Sequence, residues 1–107
     1  MANRNKKIKE ILHDLGARFL SLNGNGSSLL TVTSVELTSD GKRATIFFTV
    51  FPDKHEKTAL EFAKRKRSEF KEFIKENSKL GRIPQMDFGI DSGEKNRQKI
   101  DQLLNQS

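Results

Sequence analysis

The spacing of apolar residues shifts along this chain, and each shift marks an element. Ile8, Ile11, Leu12, Leu15 and Phe19 recur at helical spacing while Arg4, Lys6, Lys7, Lys9 and Arg18 stay off that stripe, which predicts a helix from about 4 to 22. Asn23-Gly24-Asn25-Gly26-Ser27-Ser28 then reads as a loop, being flexible and tolerant of left-handed backbone. LLTVTSVELT is rich in β-branched residues and predicts a strand. Its apolar phase slips between Leu30/Val32 and Val35/Leu37, the mark of a bulge or strong twist near Thr33 and Ser34. Ser39-Asp40-Gly41-Lys42 supplies a hairpin turn. The partner strand, ATIFFTVF, alternates cleanly: Ala44, Ile46, Phe48 and Val50 face the core, and Phe47 and Phe51 on the other face are expected to be half exposed.

Pro52 and Asp53 end that strand, and helical spacing resumes from about 54 to 79, with Ala59, Ala63, Phe70, Phe73, Ile74 and Asn77 on one face. Lys66 interrupts the face in its middle, which predicts a break into helices of about 54 to 66 and 69 to 79, with Ser68 capping the second. Gly81 fits a helix C-cap, and RIPQMDFGID reads as a short strand with Pro84 at its start or on an edge. Asp91 and Glu94 resemble a capping box opening a last short helix that carries Ile100, Leu103 and Leu104. The predicted order is α, β, β, α, α, β, α.

Composition narrows the classes this pattern allows. A chain of 107 residues suits one domain, expected to span 1–107, and its 34% hydrophobic residues suffice for a small core because they are clustered. Lys and Arg number 20 against 14 Asp and Glu, a formal +6, and the pI is near 9.8, so polyanions are the first partners to consider. Cysteine is absent, which excludes disulfides and thiolate metal sites. Charges interleave with the apolar residues of MANRNKKIKEILHDLG, unlike a signal peptide or a membrane span, and the expectation is a soluble, cytoplasmic protein.

The densest chemistry lies in Lys64-Arg65-Lys66-Arg67, continued by Lys71, Lys75, Lys79 and Arg82. If the helix runs on to 79, Arg67, Lys71, Lys75 and Lys79 form one slowly spiralling basic stripe, with Glu69, Glu72 and Glu76 on a different face. A solvated face of weak Lys–Glu pairs is the plainer account of this pattern. The sharper one is a phosphate-contacting ridge, helped by free N–H groups of Ser68, Glu69 and Phe70 at the start of the second helix.

Other candidates carry less. His13 and His55 lie far apart in sequence with no Ser or Cys constellation around them, so a catalytic set is not expected. No acidic triplet or His pair has metal-ligand spacing. Asp87-Phe88-Gly89 copies part of the kinase signature, but the Gly-rich loop, strand lysine and catalytic loop are missing, and Phe88 reads as core. Phe47 and Phe51 could stack on bases or pack against the last helix or a partner.

Nearly the whole chain resembles the ribosome-binding factor A family. The resemblance is carried by the N-terminal amphipathic helix, by LLTVTSVELTSDGKRATIFFTVF, by GRIPQMDFGID and by the amphipathic end. It implies an α+β, KH-type-II-like αββααβ fold, with a three-stranded mixed sheet backed by helices and a short C-terminal helix. It further implies a monomeric ribosome biogenesis factor, often tied to cold shock, that binds the small (30S) subunit and its 16S rRNA late in maturation. No catalysis, cofactor, metal, membrane or small-molecule substrate is implied. The RNA-binding residues would be Lys64, Arg65, Lys66, Arg67, Ser68, Lys71, Lys75, Lys79 and Arg82. The family carries an Ala-any-Gly element at the kink between the central helices. Counting back from Pro84 puts it at Lys66-Arg67-Ser68, which has neither residue, so the kink's geometry is open and an unbroken helix is an alternative. Two further readings stand beside this one: a general KH-like single-stranded RNA binder, and a protein-interaction module using Phe47 and Phe51.

Overall fold

The computed structural model describes residues 2–24 and 28–91. Helix α1 spans Ala2–Asn23 and is followed by β1, Leu29–Leu37, and β2, Arg43–Phe51. A 3-10 turn over Asp53–His55 leads into α2, Glu56–Arg65; α3, Arg67–Asn77, and β3, Gln85–Ile90, are the remaining elements among the described residues. The three strands lie in the order β1-β2-β3, with β1 antiparallel and β3 parallel to β2. This is the α+β architecture and mixed sheet that the sequence led us to expect. The expected C-terminal helix and its capping box from Asp91 to Glu94 extend beyond the described residues, as does the centre of the loop after α1.

Register follows the hydrophobic pattern. Val32 pairs with Phe48 and Ser34 with Phe47, leaving Thr33 as the extra residue of a bulge where the apolar phase slips. The bulge returns Val35 to the covered face, beside Val32, Ala44, Ile46, Phe48 and Val50. Helix α1 supplies Leu12, Leu15, Phe19 and Leu20 to the same core, whereas Leu22 lies outside it and is exposed. Phe70 of α3 joins the layers: its ring centroid lies 5.0 Å from that of Phe19 and 5.3 Å from that of Phe88. Phe48, Phe70 and Phe88 are the largest fully buried side chains among the described residues, so each contributes a large apolar area to the core.

The helical segment after β2 is broken, and the unbroken alternative is overturned. The break lies at Lys66, with φ −94° and ψ 8°. That conformation is open to any L-residue, so the turn needs no glycine. The Lys66 amide donates to the Ala63 carbonyl at 3.0 Å, closing α2, and the Phe70 amide donates to the Lys66 carbonyl at 2.9 Å, opening α3. Ser68 is therefore not the cap; Lys66 holds that position without a side-chain capping bond. Gly81 is not a C-cap either. Helix α3 stops at Asn77 because Ser78 turns extended and its hydroxyl donates to the Ile74 carbonyl at 2.8 Å, satisfying one of the last acceptors.

Candidate nucleic-acid interface

The break distributes the predicted basic residues over several surfaces. Lys64 and Arg67 flank it and reach the same oxygen of Asp87 in β3, with Lys64 Nζ at 3.5 Å and Arg67 Nη1 at 3.3 Å. Arg67 Nε also donates to the Lys64 carbonyl at 3.0 Å, so one guanidinium ties the end of α2 to the edge strand. Next to this contact lies a shallow groove of about 420 Å³ lined by Arg67, Ser68, Lys71, Ile83, Gln85 and Met86. Its lining joins the cations Arg67 and Lys71 to the polar Ser68 and Gln85 and the apolar Ile83, over a buried Met86. Such a mixed surface can hold a phosphate at the cations while the polar side chains meet the sugar.

The remaining candidates are placed elsewhere. Arg65 lies in a different groove, of about 380 Å³, with Ser28, His55, Thr58 and Phe62. Lys66 turns back to Glu69 at 3.3 Å, and its ammonium sits 5.7 Å from the centroid of Phe62. Lys75 pairs with Glu72 at 3.4 Å, so the acidic face is not isolated from the basic one as the ideal-helix argument required. Lys79 and Arg82 are exposed but belong to the connection into β3, because α3 has already ended. The four-residue stripe is thus reduced to Arg67, Lys71 and Lys75. Among the expected N–H groups at the head of α3, that of Phe70 is taken by the Lys66 carbonyl.

Two features had no sequence signal. Asp87 seemed notable only for its chance likeness to a kinase motif, yet its carboxylate gathers Lys64, Arg67 and the Phe88 amide, the last at 2.8 Å. Nothing local announces that contact. Ser28 Oγ lies 2.8 Å from His55 Nδ1, although no serine stands near His55 in sequence. The bond ties the start of β1 to the turn before α2.

The other end of the sheet is apolar. Leu29 and Phe51 are register partners and are 65% and 72% exposed. Phe47 is half-buried because its ring lies across Gly89, where a Cβ would come within 2.9 Å of the ring. Gly89 is the residue that lets this aromatic lie flat on the sheet. No helix among the described residues is long and apolar enough to cross a membrane.

Comparison with known proteins bears on the fold and the family. The Thermus thermophilus ribosome-binding factor A crystal structure superposes with a TM-score of 0.69 at 21% identity, covering 79% of this chain and 93% of that one. A homology model of the Thermus thermophilus factor, fitted into the cryo-EM map of a 30S complex, matches with a TM-score of 0.67 at 22% identity, covering 77% and 89%. At these identities the likeness speaks to the fold. In sequence, ribosome-binding factor A of Flavobacterium johnsoniae is 30% identical over 108 residues, covering 95% of this chain and 83% of that protein. The Trichlorobacter lovleyi protein is 32% identical over 104 residues, with 94% and 85% covered. The family model described as ribosome-binding factor A matches residues 2–104, and the chain belongs to that family.

Proposed function

We propose that this protein acts in the cytoplasm as a non-catalytic assembly factor that binds the small ribosomal subunit and assists late maturation of 16S rRNA. The observation that carries the reading is the groove between α3 and β3, which Arg67 and Lys71 line together with Ser68, Ile83 and Gln85. Two cations beside polar side chains suit an RNA strand held by its backbone, and the net charge of +6 favours approach to rRNA. Family membership supports the small subunit as partner, since a homology model of the related Thermus thermophilus factor has been fitted into the map of a 30S complex.

Sedimentation tests it. Wild-type protein should travel with free small subunits and dissociate steeply as salt rises, while the R67E/K71E variant should stay at the top of the gradient, a thermal melt showing that it remains folded without the Arg67 contacts to Lys64 and Asp87. Removal of the protein should leave precursor 16S rRNA in the cell. Equal co-sedimentation of wild type and variant would refute the proposed surface, and mature 16S rRNA in its absence would refute the role.

The exposed Leu29–Phe51 pair favours a second reading, contact with a protein partner. Binding indifferent to salt and lost in the F51S variant would favour it. A general single-stranded RNA binder would instead co-sediment with messenger RNA.

A further inference from the structure

We infer that Asp87 is an internal competitor for RNA phosphate: its carboxylate occupies the cations at the helix break, so that an arriving phosphate must displace it. The inference rests on the RNA-facing reading of that groove and adds to it the residue that tempers its affinity.

Its basis is geometric. A single oxygen of Asp87 lies 3.3 Å from Arg67 Nη1 and 3.5 Å from Lys64 Nζ, which is how a phosphate oxygen would be held between an Arg and a Lys. Arg67 also lines the groove, while Asp87 stands between the groove residue Met86 and the buried Phe88 on β3. The internal anion and an arriving one therefore meet at the same guanidinium. All three side chains are close to half exposed, at 42% for Asp87, 43% for Lys64 and 48% for Arg67, so the pairs are exchangeable and not locked in the core.

Charge counting gives the consequence. Two cations and one anion leave the cluster at +1, and a phosphate that displaces the carboxylate gains the guanidinium but remains beside the displaced charge. Removing the carboxylate lifts the same cost from every RNA that engages Arg67, so Asp87 lowers the affinity of the cluster for any strand whose phosphate must displace it.

The test compares full-length variants on two probes, an oligouridylate and purified small ribosomal subunits, across a salt series. Asp87→Asn removes the charge and leaves an oxygen that can still accept from the Phe88 amide; Asp87→Ser provides an independent second variant. Glu36→Gln removes the same charge on β1, the opposite edge of the sheet. Thermal melts verify that each variant is folded.

At about 50 mM salt, D87N and D87S should bind oligouridylate roughly three- to tenfold more tightly than wild type, with a log–log salt slope steeper by about 0.7 for the extra phosphate engaged. Small subunits should show a gain in the same direction, and E36Q should change neither probe by more than about twofold. Unchanged or weakened binding by D87N and D87S, or an equal gain from E36Q, would overturn the inference while leaving the groove assignment intact. If R67E/K71E binds both probes as well as wild type does, the groove assignment itself fails and takes this inference with it.

Discussion

The hairpin between β1 and β2 and the break between α2 and α3 both redirect the chain, by opposite means. At the hairpin every stabilising contact is local: Asp40 accepts from the Thr38 hydroxyl at 2.6 Å and from the Lys42 amide at 3.0 Å, and Gly41 takes φ +73°. At the break no residue is conformationally special, and the restraint comes from the packing of Phe70 on Phe19 and Phe88, with only a half-exposed, exchangeable tie to Asp87 beside it. A turn written into its own few residues needs a particular residue type. A turn imposed by tertiary contacts tolerates almost any residue at its centre but depends on distant ones.

The most forceful way to break that contrast is to remove the distant anchor. Phe70→Ala should cost about 3–5 kcal/mol, as should Phe48→Ala at the centre of the sheet, because both rings are fully buried and each leaves a cavity between layers that cannot close. Denaturant unfolding measures it. A loss under about 1 kcal/mol for Phe70→Ala would mean that the break is held locally after all.

Backbone substitutions sharpen the comparison at lower energy. Gly41→Ala places a side chain on a left-handed residue and should destabilise by about 1–2 kcal/mol, although nothing lies within 4 Å of the new methyl. Lys66→Ala should change stability by less than about 0.5 kcal/mol, since its φ and ψ suit any residue. Paired melts of the two variants decide the matter, and a larger loss for Lys66→Ala would reverse the roles assigned to the two turns.

The same contrast explains how much the sequence discloses. The stripe of α1, the bulge at Thr33, the Asp40–Gly41 turn and the inward face of β2 depend on spacing within a few residues, and all could be read in advance. The position of the break was also legible, because Lys66 interrupts an apolar face, but its chemistry was not: a serine nearby suggested a cap, whereas the backbone of Lys66 does the capping. Helix α3 was read as running past Asn77 because Ser78 carries no strong stop signal; its hydroxyl bond to Ile74 becomes evident only in three dimensions. Of the basic run, sequence revealed the charge but not its division, since Lys64 and Arg67 turn to β3 while Arg65 lines a separate groove. Asp87, twenty residues beyond Arg67, could not be connected to the break by any local pattern.

The mildest test concerns the protonation of the hairpin. The Thr38 hydroxyl, and after it the Lys42 amide, hold the Asp40 carboxyl below its ordinary 3.8 by donating to the ionised form. Because the folded value is depressed, the stabilisation is present above pH 3.8 and is lost as pH falls through the lower folded value. Thr38→Val removes the larger cause and should bring the Asp40 titration, followed by NMR at its carboxyl carbon, back towards 3.8, while the Lys42 amide continues to hold it slightly lower. Since Asp40 is fully exposed, the global melting temperature should hardly register the change, and the effect should be confined to signals of the turn. A wild-type midpoint at or above 3.8 would show that these bonds do not favour the carboxylate, and the claim that this turn is fixed by its own residues would lose its electrostatic half.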